Sequence, residues 1–254
     1  MGRTGWNWKR LAAVNLHMMG PFVAKVYTTT SLRRPPAGDK ALIESALTRC
    51  CREEVDLTGK LDELIYEQGG TKLIAVWIAQ GVQKSPKLTL HSSALYGKPS
   101  SEIKDAVHHI SGSKAGSFEI FGIRSGIANT PRIGRMLVFN ILADLMSRRG
   151  RAGFTVQYVW WYLSEENPAD ARKQIILKTL RPNGWRYVRR AQVSPLGDPE
   201  LTEACGEQRL WYLHLGDEKT RNRIAKTYSI GRMLSGSVCG HGRVANADGP
   251  RFCI

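Results

Sequence analysis

The side chains best placed to do chemistry in this sequence are its cations. Lys and Arg number 37 against 22 Asp and Glu, a formal charge of +15 with His neutral, and the pI is near 9.9. Residues 131–190 hold 12 of the Lys and Arg but only 4 of the Asp and Glu, so +8 of the +15 is concentrated there. A field of this sign favours polyanions, nucleic acid first and anionic membrane second, and weighs against a metabolic enzyme acting on neutral substrates. Arg148, Arg149, Arg151, Arg186, Arg189 and Arg190 are the candidate phosphate contacts; the alternative for them is a solvated basic face. Trp185, Tyr187, Trp211 and Tyr212 lie among these basic residues. They suit either base stacking or a core.

Other arrangements are poorer. The five cysteines, Cys50, Cys51, Cys205, Cys239 and Cys253, are odd in number and contain no Cys-x-x-Cys. A secreted disulfide scaffold and a complete zinc ribbon are both excluded on that pattern. Cys239, His241 and Cys253 make three potential zinc ligands, where a closed structural site uses four. His108 and His109 are adjacent, so on a helix they point about 100° apart and cannot chelate one metal together. There is no Walker loop and no Gly-x-Gly-x-x-Gly.

These residues need elements to position them. The chain has 254 residues, 42% of them hydrophobic, enough for a substantial core. Its longest fully apolar run, Leu73 to Ala79, is far short of the roughly 20 residues of a membrane helix. Residues 1–38 read as a basic arm and linker: no acidic residue precedes Asp39, and Pro35, Pro36 and Gly38 block regular structure. The same composition also resembles an organelle transit peptide, while Asn15 and His17 break up any secretory signal. Residues 39–62 form a helical lead-in, with Leu42, Ile43, Ala46 and Leu47 on one face. Strands are expected at 63–66, 73–79 and 87–93, then a helix over 99–110 with Ile103, Ala106, Val107 and Ile110 in phase. A strand from Phe118, a helix over 132–146, a strand over 154–160 and a helix over 169–178 follow. A meander followed by alternating helices and strands implies one mixed sheet with helices packed on it, over 63–179. Residues 180–254 form a helical or irregular extension, Gly-rich from Ser235.

Within that order, residues 64–176 resemble a ribonuclease H domain of the non-LTR retrotransposon type. Ile65-Tyr66-Glu67-Gln68-Gly69-Gly70 resembles the family's first-strand motif I-Y-T-D-G-S. Ser92 to Tyr96 followed by Ser101 to Ala106 resembles its third strand and the helix bearing its Glu. Phe121 to Ala128 sits where the family has S-D-S-x-x-A, Val159-Trp160 resembles the last strand, and Asn167-Pro168-Ala169-Asp170 the closing N-x-A-D. Downstream, Trp211, Gly240-His241-Gly242 and Cys253 follow the order of such polyproteins.

The resemblance implies an α/β fold with a five-stranded mixed sheet, and a site of four carboxylates holding two divalent metal ions. The four positions read Gln68, Glu102, Arg124 and Asp170. Glu102 and Asp170 remain as catalytic remnants and candidate ligands of Mg²⁺ or Mn²⁺. Arg124 puts a permanent cation where a metal would sit. The expectation is therefore a degenerate ribonuclease H-like domain that binds RNA or an RNA/DNA hybrid with little cleavage. The alternatives are an active metal-dependent ribonuclease H and a structural RNA-packaging or ribonucleoprotein component. The implied setting is intracellular, with no membrane, and includes a place in a larger polyprotein.

Overall fold

The computed structural model describes residues 22–50, 71–80, 87–112, 116–125, 131–148, 156–163, 169–193, 199–206 and 208–227. The elements run β1 (Phe22–Thr28), α1 (Thr29–Arg33), α2 (Lys40–Cys50), β2 (Lys72–Gln80), β3 (Lys87–Gly97), α3 (Lys104–Ser111), β4 (Gly116–Ser125), α4 (Pro131–Arg148) and β5 (Val156–Tyr162). They continue with α5 (Ala169–Ile175), a π-helical turn (Ile176–Leu180), β6 (Arg186–Tyr187), α6 (Pro199–Gly206), β7 (Leu210–His214) and a last helix, α7, over 218–227. The strands form one seven-stranded sheet in the order β1-β2-β3-β4-β5-β7-β6. The pairs β1–β2, β5–β7 and β6–β7 are antiparallel, and β4–β5 is parallel.

The mixed α/β class holds, and the five-stranded sheet is corrected to seven. Residues 22–33, inside the span read as a basic arm, form β1 and α1. Residues 186–187 and 210–214, read as extension, form β6 and β7, and β7 lies beside β5. The strand expected at 63–66 lies outside the described residues.

Tertiary contacts divide the chain into two compact units, residues 1–95, 122–147 and 225–254 in the first, and 96–121 and 148–224 in the second. In the first, β1 runs antiparallel to β2 from Phe22↔Ile78 to Thr28↔Lys72. Leu73 to Trp77 of β2 are all at most 3% exposed, the continuous apolar run of a strand covered on both faces. Ile43, Ala46, Leu47 and Cys50 of α2 recur at helical spacing and are buried together. On α4, Leu137, Val138, Ile141, Leu142 and Leu145 are buried. Lys72 on β2 reaches Asp144 on α4 at 2.8 Å, which ties the helix to that strand at this point.

In the second unit, β4 and β5 pair from Gly116↔Val156 to Ile120↔Trp161, with a register shift after Gly116. β5 then pairs β7 from Tyr158↔His214 to Tyr162↔Leu210. Its core gathers Ile103, Ala106, Trp160, Leu201, Cys205 and Tyr212. Trp185, Trp211 and Tyr212 are at most 9% exposed, so these aromatics are core and not stacking platforms. Among the described residues no helix is long and apolar enough to cross a membrane.

Candidate functional site

The carboxyl end of β4 and the first turn of α4 form a corner in the first unit. Two contacts fix it from behind. At Gly122 an added Cβ would lie 2.6 Å from the Cys50 carbonyl oxygen, so β4 passes the end of α2 at a distance that a hydrogen at this position permits. Cys50 Sγ donates to Ser93 Oγ at 3.1 Å and joins that same helix end to β3. The apolar stripe of α4 and the Lys72–Asp144 pair hold the helix on its sheet.

The first turn of α4 suits an anion. Pro131 opens the helix, where its missing N–H costs nothing and its fixed φ is already helical. The N–H groups of the first turn of any α-helix stand outside its i to i−4 ladder and point out of its end. No acidic residue lies in this turn. Arg135 is exposed, with its guanidinium 5.7 Å from the centroid of the Phe139 ring. The dipole, the donors and the cation therefore share one sign.

Two buried polar groups lie on the strands. His91 on β3 is 4% exposed, with Nδ1 2.6 Å from Ser92 Oγ. Burial, then the charge of Arg49, lower its pKa, so the ring is neutral at physiological pH. Glu119 on β4, in the second unit, is 5% exposed and its Oε2 accepts from Ser100 N at 2.7 Å. It ties the strand to the start of the 3-10 turn Ser101–Ile103 that leads into α3.

Of the residues expected to hold metal, Gln68 lies outside the described residues. Glu102 is in the 3-10 turn before α3, and Asp170 is in the first turn of α5. Arg124 is on β4, half-buried, and interacts with other groups. Among the described residues no group of three or more His, Cys, Asp or Glu could hold a metal ion. Of the expected phosphate contacts, Arg148 ends α4, and Arg149 and Arg151 lie outside the described residues. Arg186, Arg189 and Arg190 are exposed, with Arg189 5.8 Å from the Tyr187 ring. Cys239, His241 and Cys253 are also outside.

No family model and no curated protein matches the chain. Solved structures do match. A KacTA–DNA complex is 12% identical, with a TM-score of 0.39, over 82% of this chain and 99% of that one. A tyrosine-to-phenylalanine mutant of the AtaT toxin, bound to the C-terminus of the antitoxin AtaR and acetyl-CoA, is 10% identical with a TM-score of 0.40, over 83% and 99%. AtaTR bound with acetyl-CoA is 10% identical with a TM-score of 0.38, over 82% and 98%.

These findings replace the ribonuclease H expectation. The solved structures found are of KacTA and AtaT, two of them described with acetyl-CoA. The sheet has two more strands than that family's five, with β7 placed against β5. Retrotransposon origin, a two-metal site, and RNA or an RNA/DNA hybrid as the partner are withdrawn with it. The sequence signal for the β4–α4 corner was Pro131 before a basic, acid-free turn. The longer run of arginines further along dominates the charge count and hides that signal.

Proposed function

We propose that the chain is an acyltransferase using acetyl-CoA, with the cofactor's diphosphate held where β4 gives way to α4. One observation carries this. The parallel pair β4–β5 has an 18-residue helix between its strands in the chain, and that helix begins beyond the carboxyl end of β4 with no acid in its first turn. Ligands of open α/β sheets collect outside the carboxyl ends of parallel strands, and a helix N-terminus there meets a phosphate with N–H donors and a positive dipole. Acetyl-CoA is the ligand named for the AtaT structures. When bound it supplies an acyl group as a thioester. This chain's part is to hold the diphosphate: the backbone N–H groups after Pro131 donate to it, and Arg135 adds a cation. Gly134 brings no Cβ to the turn, which leaves the backbone open to close approach.

The test is calorimetric titration of the full chain with acetyl-CoA, with free thiol followed in the presence of small primary amines. Saturable binding is expected, weakened about tenfold or more in the variant Arg135→Ala, since a charge-assisted hydrogen bond of this kind is worth about 1.5–3 kcal/mol. No binding of acetyl-CoA, or binding that Arg135→Ala leaves unchanged, overturns the reading.

A further inference from the structure

In the second unit, the sheet face that packs against Ile103 and Ala106 carries a buried acid. Glu119 of β4 and Trp160 of β5 are register partners in the parallel pair, so their side chains leave the same face side by side. Trp160 packs with Ile103, Ala106 and Tyr212, its ring 5.5 Å from that of Tyr212. Ser100 lies one turn before Ile103, and its N–H donates to Glu119 Oε2 at 2.7 Å. Three polar side chains, from β4, β5 and the lead-in to α3, thus enter one apolar interior. Ser100 is 4% exposed, Glu119 5% and Trp160 0%.

Among the described residues, neither Ser100 Oγ nor Trp160 Nε1 has a hydrogen-bond partner. Ser100 stands at the cap position of the 3-10 turn Ser101–Ile103, where a hydroxyl usually accepts from the turn's own N–H groups. It makes no such bond, and its oxygen is buried instead. A buried hydroxyl or indole N–H without an acceptor is costly, and folded proteins leave few of them. Both groups offer a proton, and the carboxylate beside them accepts. Glu119 has further contacts. A carboxylate takes about four hydrogen bonds, so those contacts and the one from Ser100 N do not by themselves exhaust it.

We propose that Ser100, Glu119 and Trp160 hold a buried water molecule as a fixed part of the fold. A water has two lone pairs for the two donors and a proton for the carboxylate. About three hydrogen bonds is the usual number for a buried water. Charge and donor count exclude the other small occupants. A metal ion or an ammonium offers no lone pair to the two donors, and an anion such as chloride is repelled by the carboxylate. So placed, the water joins β4, β5 and the entry to α3, segments well separated in the chain. It is held whether or not the chain binds acetyl-CoA.

The melting temperature of the full chain is compared with those of Ser100→Ala, Trp160→Phe and the double variant. Water–protein cross-relaxation is recorded by NMR on the wild type. A buried donor with no water on it is only a burden, so in that case Ser100→Ala raises the melting temperature or leaves it unchanged. With the water in place, Ser100→Ala is expected to lower it by about 2–4 °C, the shift that one lost hydrogen bond gives in a chain of this size. Trp160→Phe also shrinks a core ring, so its own loss decides little. The double variant is expected to lose less than the sum of the two, because the first substitution already releases the water that both donors share. The Trp160 indole proton, sequentially assigned, is expected to show a cross-peak to a long-lived water. If Trp160→Phe does not fold, the sign at Ser100→Ala and the cross-peak decide alone. A raised or unchanged melting temperature in Ser100→Ala, additive losses in the double variant, or no water cross-peak at the Trp160 indole overturns the proposal.

Discussion

Two helical segments follow the strands of the parallel pair, and they differ in regularity. α4 runs 18 residues from Pro131 with one winding, and its buried stripe of Leu137, Val138, Ile141, Leu142 and Leu145 never leaves phase. The segment from Ala169 changes winding twice, from α to π at Ile176 and to 3-10 at Arg181. Each change frees backbone groups that something else must satisfy. Asn183, 1% exposed, donates from Nδ2 to the Thr179 carbonyl at 2.6 Å, and Gly184 closes the segment at φ of 84°. A regular helix on a wide apolar stripe is a frame, and its binding capacity sits only at its end. The broken segment exposes Leu177 and Arg181 along its side instead, which is how it lines a pocket of about 360 Å³ beside Leu163.

That contrast is broken most directly by shaving one leucine from each segment. Leu142 on α4 is fully buried, and Leu142→Ala is expected to cost about 2–5 kcal/mol, the usual cost of a core cavity. Leu177, 46% exposed, is expected to cost within about 0.5 kcal/mol on the same change. Urea denaturation of both variants gives the two numbers. Similar losses at the two sites end the distinction between frame and pocket wall.

Gly122→Ala comes next. The new methyl meets a backbone carbonyl at 2.6 Å, and neither β4 nor the end of α2 can turn aside as a side chain would. A loss of about 1–3 kcal/mol is expected from overpacking, measured by the same denaturation, with weaker acetyl-CoA binding if β4 is what positions the corner. At Gly184 the cost of a side chain has another source: the contact, 2.8 Å to Arg223 Nη1, is with the far end of a flexible side chain, but the φ of 84° is one that L side chains rarely adopt.

Lys72→Met tests the frame from its other side. The pair with Asp144 is 2.8 Å long and each side chain is 18% exposed. Removing the cation takes one contact from a partly buried carboxylate, at about 1–3 kcal/mol. The double variant with Asp144→Asn is expected to recover part of that loss in a double-mutant cycle.

The frame was far more legible in the sequence than the pocket. α3 and α4 repeat apolar residues every three or four positions, and β2 is a run from Leu73 to Ala79 that only a buried strand explains. β1 was not read because its partner is β2, some fifty residues on, and Lys25 with the cations around it looked like an arm. β7 was not read because Leu-Trp-Tyr-Leu suits a loop aromatic cluster as well as a strand until β5 and β6 are placed on either side. The pocket cations could not be found by counting. Arg172 and Arg209 are 37 positions apart, and only the fold of the second unit lines one cavity with both. The two-metal reading failed for a related reason: five short motifs in the expected order did not determine how many strands the sheet has.

The smallest expected effect concerns what closes the broken segment. Gly184 lies against Arg223 of α7, and α7 is started by Asp217. Asp217 Oδ2 accepts from the Thr220 hydroxyl at 2.7 Å and from Thr220 N at 3.0 Å, and Oδ1 accepts from Lys219 N at 3.2 Å. The Thr220 hydroxyl bond is the largest cause holding its carboxyl below the ordinary value; desolvation opposes it, and the two backbone bonds and the charge of His214 add to it. A carboxyl with a depressed folded pKa stabilises the folded state fully above its unfolded value, about 3.9, and that contribution is lost as the pH falls through the folded pKa. The melting temperature of the wild type is therefore expected to drop more steeply below about pH 4 than that of Asp217→Asn, which cannot titrate. Thr220→Val is expected to give an intermediate slope, because it removes the hydroxyl and keeps the backbone donors. Parallel acid profiles for all three proteins would show that the start of α7 contributes nothing titratable, and that Gly184 and Arg223 hold the end of the broken segment without it.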